Sequence, residues 1–136
     1  MMVNDQVMGS LIEQNPDAMI FADTDGKILV WNEAAQRVFG FTKDEAIGES
    51  LDIIIPEKLR GPHWRGYDEA IKNRGTKYLG KSMPTKAIHS EGSTIYVELG
   101  FSIVLDDKNE VMGVLSSARD ITKRFKEERA KREKSK

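Results

Sequence analysis

The stretch IIPEKLRGPHWRGYDEAIKNRG, residues 54–75, carries one of only two histidines in the chain. Imidazole changes charge close to neutral pH and is the commonest metal ligand, so His63 is the first residue to weigh for chemistry. The second, His89 in KAIHSEG, precedes a turn sequence of polar residues and is expected to be exposed. Two histidines this far apart do not make a structural zinc site, which takes four ligands. The chain has no cysteine, which removes disulfides, thiolate nucleophiles, zinc–thiolate sites and iron–sulfur clusters. GFTKDEAIG lacks the spacing of a phosphate-binding glycine loop, and no G-x-S-x-G nucleophile elbow occurs. Asp23, Asp25, Asp106 and Asp107 fall in turns, where a carboxylate is expected to be solvated. No catalytic set remains, and the chain is not expected to be an enzyme.

The apolar pattern around His63 gives its setting. A helix is predicted from Pro62 to about Arg74, stopped by Gly75. On a helical wheel His63 shares a face with Tyr67 and Ala70, flanked by Ile71 and Trp64. Arg65, Asp68, Glu69, Lys72 and Asn73 occupy the opposite arc. The imidazole should therefore point into the domain. Two inward roles follow from this: a core histidine bonded to a carbonyl or water, or a metal ligand facing a cavity. A place in the first helical turn would favour the neutral, ligating form, because the positive end of the helix dipole opposes protonation.

The remaining elements alternate in type. Asn4 or Asp5 can cap an N-terminal helix carrying Val7, Met8, Leu11 and Ile12 at helical spacing, ended by Asn15-Pro16. AMIFADTDGKILVWN reads as two strands joined at Asp25-Gly26. Asn32 can cap the next helix, Gly40 can end it, and Thr42 with Glu45 has the spacing of a capping box. In STIYVELGFSIVL, Ile95, Val97, Leu99, Phe101 and Ile103 alternate with Thr94, Tyr96, Glu98, Gly100 and Ser102, a long strand with one buried face. DDKNE is a polar turn, and VMGVLSSARDI is the next strand. Asp120 can cap an exit helix in which Ile121 and Phe125 are a brief apolar stripe. From Lys123 to Lys136 there are eight Lys or Arg against three Glu, without the apolar heptads of a coiled coil. Two strands, several short helices and about three further strands make an α+β domain with its helices on one face of an antiparallel sheet.

At 136 residues the chain suits a single domain with one core. A net charge of −1 is not that of a nucleic-acid binder. No stretch approaches the roughly 20 apolar residues of a membrane span, and the N-terminus lacks the order of a signal peptide. A cytoplasmic location without membrane or nucleic-acid partners is the expectation. Three segments result: a flanking amphipathic helix over residues 1–15, a domain over 16–122, and a charged signalling helix or tail over 123–136.

PDAMIFADTDGKILVWNEAAQRVFGFTKDEAIGESL resembles the first half of a PAS domain, and EGSTIYVELGFSIVLDDKNEVMGVLSSARDIT resembles its last three strands. The resemblance implies a five-stranded antiparallel sheet, short helices over one face and a cavity between them. It also implies a sensory, signal-transducing role, a homodimer through the N-terminal helix, and a fused or separate output protein such as a histidine kinase or cyclase. Light-sensing flavin domains of this fold use a cysteine that is absent here. I-P-E-K-L-R-G-P-H is similar to the stretch holding the proximal haem histidine in haem-PAS sensors, matching at Ile55, Pro56, Glu57, Arg60 and His63. That likeness implies haem b bound through His63 to sense a diatomic gas or redox state, with Met83 as sixth ligand. Tyr67, Val97, Leu99 and Phe101 would be cavity contacts, and Lys77 and Lys81 cationic partners for the propionates. Two positions depart from the oxygen-sensing pattern: Met83 stands where an oxygen-contacting arginine occurs, and Glu69 where a propionate-binding arginine occurs. A haem-free interaction module, or a sensor of another cavity ligand, are the alternatives.

Overall fold

The computed structural model describes residues 2–76 and 80–135. Helix α1 (Asp5–Glu13) precedes the hairpin of β1 (Ala18–Asp23) and β2 (Ile28–Trp31). Helices α2 (Glu33–Phe39) and α3 (Lys43–Ala46), a 3-10 turn (Leu51–Ile54) and α4 (Glu57–Asn73) follow. The chain then forms β3 (Ser82–Ile88), β4 (Thr94–Leu105), β5 (Val111–Asp120) and α5 (Thr122–Lys134). The five strands make one antiparallel sheet in the order β2-β1-β5-β4-β3. The expected α+β architecture is present, with flanking helices at both ends.

Local chemistry accounts for most boundaries. Asn4 Oδ1 accepts from the Val7 N–H at 3.0 Å, so Asn4 rather than Asp5 caps α1. Thr42 and Glu45 form both bonds of their capping box. Gly40 ends α2 in the left-handed conformation at φ +84°. Ala18, Ile20 and Ala22 of β1 are buried alternately, as are Val114, Ser116 and Ala118 of β5. These residues meet Trp31, Phe39 and Val97 in the core beneath the helices.

Three expectations are corrected. First, α4 begins at Glu57, with Pro62 inside it, rather than at Pro62. A proline there leaves the Lys58 carbonyl without its intrahelical donor, a local loss that the packing of α4 outweighs. The helix does stop where foreseen, but Arg74, not Gly75, takes the left-handed position at φ 56°. Second, the first of the further strands, which the sequence pattern left without bounds, is β3 over Ser82–Ile88. Pro84 is tolerated because β3 lies at the sheet edge. Third, His89 is half-buried: its Nδ1 accepts from the Glu91 N–H at 3.1 Å, and its ring lies where a side chain on Gly40 would be.

At the C-terminal end Ile121 occupies the cap position of α5, while Asp120 Oδ1 accepts from the Thr122 N–H at 2.9 Å. Phe125 stacks on Tyr96 of β4 with ring centroids 4.0 Å apart, and Tyr96 N–H donates to Thr122 Oγ1 at 3.0 Å. The root of α5 is thereby fixed to β4, and beyond Phe125 its surface is almost wholly charged. Among the described residues no helix is long and apolar enough to cross a membrane.

Candidate ligand-binding cavity

Four contacts fix the position of α4. Arg60 Nε donates to the Ile55 carbonyl at 3.1 Å and its Nη2 to the Asp52 carbonyl at 3.3 Å, clamping the 3-10 turn to the start of the helix. Trp64 Nε1 donates to Asp52 Oδ1 at 2.8 Å. Its indole covers Gly26, where a Cβ would come within 2.1 Å of the ring. Tyr67 Oη donates to the Asp23 carbonyl at 2.5 Å, one turn further on. Burial and then the nearby Asp23, Asp68 and Asp25 push the Tyr67 phenol up, so it remains a donor. His63 lies between these anchors, edge-on to Trp64 at 4.7 Å and tilted against Tyr67 at 5.7 Å.

The imidazole faces inward, as the wheel requires. Its Nδ1 is buried and has no hydrogen-bond partner among the described residues. Loss of water at such an atom costs about 1–3 kcal/mol unless something replaces it. No carbonyl among the described residues takes that nitrogen, so a core histidine bonded to water and a ligand facing the cavity are the two roles left for His63. Desolvation holds its pKa below the ordinary histidine value, against a smaller upward pull from Asp52. The ring is neutral at pH 7, which is the ligating form. The cause is burial and not the helix dipole, since His63 stands at the seventh residue of α4.

Two cavities meet at this ring. The larger, about 520 Å³, is a cleft between one flank of α4 and the sheet, floored by Tyr67, Ala70, Phe101, Ile103 and Val114. That size is within the range of small-molecule and cofactor sites. Gly66 opens the α4 flank: a Cβ there would meet nothing within 4 Å. Arg65 and Glu69 stand at the mouth, both exposed. The smaller cavity, about 100 Å³, lies on the other side of His63 against Val97, Leu99 and Phe101.

The structure thus brings together His63, Tyr67 and Phe101, and places Leu99 and Val97 at the inner cavity. Met83 sits opposite Leu99 in the β3–β4 register and so shares its face of the sheet, yet it is 44% exposed and lines neither cavity. Lys81 is exposed before β3 and lines neither cavity, and Lys77 lies outside the described residues. The sequence reading did not single out Gly66, Ile103, Val114 or Arg65 for the site. Gly66 and Ala70, two small residues four apart on α4, were the available signal for a helix flank held off the sheet. Among the described residues no three His, Asp or Glu side chains converge as a metal site.

Similarity to known proteins agrees with this architecture. Over 54 residues the chain is 43% identical to the sensor protein FixL of Bradyrhizobium diazoefficiens, covering 40% of this chain and 11% of that protein. Over 100 residues it is 24% identical to the oxygen sensor protein DosP of Escherichia coli, covering 74% of this chain and 12% of that protein. The chain therefore spans only about an eighth of the length of such relatives. The PAS domain of a Colwellia psychrerythraea protein superposes with a TM-score of 0.76 at 21% identity, covering 87% of this chain and 97% of that one. The PAS domain of BvgS from Bordetella pertussis gives 0.67 at 21% identity, over 97% and 98%. The PAS-domain family profile matches residues 16–123, and with the sheet order, the helical layer and the cleft between them in agreement, the chain belongs to the PAS domain family.

Proposed function

We propose that this PAS sensory domain binds haem b through His63 and answers to a diatomic gas or to the redox state of the iron. The observation that carries the reading is a neutral imidazole, His63, that lines both cavities and whose buried Nδ1 no protein group among the described residues holds. A neutral imidazole that lines the cleft is suited to hold the iron, and the apolar floor suits a porphyrin face. The relatives named as a sensor protein and as an oxygen sensor protein support the same reading. When bound, haem supplies an iron centre that takes a diatomic ligand or changes oxidation state. Met83 is left out of the ligand set, because its position at the exposed rim of β3 does not bring it to either cavity.

Strand β4 is the route from the cavity to α5. Its inward residues Leu99 and Phe101 line the cavities, and outward Tyr96 holds Phe125 and Thr122. A displacement of the inner face is thus carried to the root of α5. A ligand biases such a two-state element only through its differential affinity, which an axial bond supplies. The output is a fused or separate unit such as a histidine kinase or cyclase; one relative is the sensor histidine kinase TmoS of Ectopseudomonas mendocina.

The test is an absorption titration of the purified protein with hemin, repeated after dithionite. A saturable one-to-one Soret band is expected, unchanged in Met83→Ala. Absence of any saturable change would overturn the haem reading. It would shift attention to the exposed apolar face of α1, with Met8 53% and Leu11 59% exposed, as a self-association surface of a haem-free module. Gly66→Leu supplies a control of place. The new side chain enters open space in the cleft, so hemin affinity should fall at least about tenfold while helix propensity improves by roughly 0.8 kcal/mol. Equal affinity in that variant would put the haem elsewhere.

A further inference from the structure

We infer that the inner cavity of about 100 Å³ binds a small neutral molecule with one hydroxyl on a short aliphatic body, anchored by Ser116. The site is separate from the cleft, and the inference does not rest on the haem reading. Ser116 stands on the inward face of β5 between buried Val114 and Ala118. It is paired with Ile20 of β1 on one side and Phe101 of β4 on the other. That is the middle of the sheet, where apolar side chains are the rule. Asn32 and Ser116 are the buried polar residues among those described. Asn32 uses its amide on four backbone groups. The Ser116 hydroxyl takes part in no hydrogen bond among the described residues.

A buried hydroxyl without a partner is destabilising, and alanine would fill the same place without that cost. Among the described residues only Nδ1 of His63 is both sealed and unpartnered. The Ser116 oxygen therefore remains open to space beside it, and the space on that face of the sheet is the inner cavity that Ser116 lines. The rest of the wall is mostly hydrocarbon, from Ile20, Phe39, Leu51, Ile54 and Val97. His63 closes the side toward the cleft. Leu59 of α4 and Lys86 of β3, both exposed, mark the outer end.

Size and polarity together describe the ligand. An apolar cavity of roughly 150 Å³ takes a benzene ring, so this one takes about four heavy atoms. Water suits only one end of it. A buried water needs about two to four polar partners, and beyond Ser116 the hydrocarbon wall supplies none. A short-chain alcohol matches both parts: its hydroxyl pairs with Ser116 and its carbons cover Leu51, Ile54 and Val97. A charged group is excluded, because no ion partner lies within the wall to offset its burial. Leu99 and Phe101 of β4 belong to the same wall, so an alcohol here bears on the strand whose Tyr96 holds Phe125 of α5.

The experiment titrates 1-propanol into the isotope-labelled full chain, without hemin, and follows the backbone amide resonances. Saturable shifts are expected at Leu99, Phe101 and Ser116, with a Kd of about 1 mM, near what about four heavy atoms support. Ser116→Ala should weaken 1-propanol about tenfold. Xenon, which has no hydrogen bond to lose, should bind both proteins alike. Ser116→Ala should also unfold at no lower a urea concentration than wild type; a lower midpoint would give the hydroxyl a protein partner and overturn the inference. Gly66→Leu, whose side chain enters the cleft, should leave 1-propanol binding unchanged. Shifts that never saturate in wild type would leave water as the occupant and overturn the inference, as would equal affinity in Ser116→Ala. Loss of binding in Gly66→Leu would move the alcohol to the cleft and overturn it too. Each of these outcomes is independent of the hemin titration.

Discussion

Replacement of His63 by Phe should raise the stability of the ligand-free protein by about 1 kcal/mol, or roughly 4 °C in Tm, and reduce hemin affinity by more than about 100-fold. The two effects have one origin. Phe keeps the aromatic contacts with Trp64 and Tyr67, and it removes a buried nitrogen that no protein group satisfies. A histidine kept for packing would behave in the opposite way, and its loss would destabilise. The pH dependence separates the cases again. Burial lowers the folded-state pKa of His63 below its unfolded value of about 6.5. The unfolded chain then binds more protons in acid. The stabilising contribution of the neutral ring is complete above about pH 6.5 and is lost as pH falls through the folded-state value. His63→Phe should lack this acid-side decline. Thermal unfolding of both proteins between pH 7 and 5 measures it. A variant less stable than wild type at pH 7 would make His63 a structural residue.

Asn32→Ala should cost about 3 kcal/mol, well above the roughly 1 kcal/mol of a lost helix cap. Asn32 is fully buried, and its amide serves four backbone groups. Oδ1 accepts from the N–H of Met19 at 2.9 Å and of Ala35 at 3.0 Å; Nδ2 donates to the carbonyls of Ile12 at 2.8 Å and Asp17 at 3.1 Å. One side chain thus joins the end of α1, the start of β1 and the first turn of α2. Asn32→Ser should recover only the cap, because a serine hydroxyl is too short to reach Ile12 or Asp17. Urea unfolding gives the energies, and amide exchange at residues 12–19 should quicken in both variants. A cost near 1 kcal/mol with unchanged exchange would reduce Asn32 to a cap.

These residues show how far the amino-acid order reads on its own. Asn32 was legible as a cap because that bond spans three residues; its bonds to Ile12 and Asp17 span 20 and 15 and depend on the sheet. The capping box at Thr42 and the Asp25-Gly26 turn were legible for the same local reason. The reason Gly26 tolerates no side chain there was not, because Trp64 comes from α4. The alternation of β4 was plain. Strand β3 was not, since Ala87 alone is buried along it and an edge strand carries little alternation. Pro62 misplaced the start of α4, and with it the helix-dipole argument for His63. The conclusion that the ring is neutral survives through desolvation.

Sequence alone determined the element types, their order, the inward face of α4 and the candidacy of His63, because propensity, capping and periodicity act over a few residues. Only the tertiary structure decided that Nδ1 of His63 has no partner, that Gly66 opens a cleft beside it, and that Arg65 rather than Lys81 stands at its mouth. Burial and hydrogen-bond satisfaction depend on groups that meet only when α4 is laid across the sheet, and no local pattern in the chain encodes that meeting.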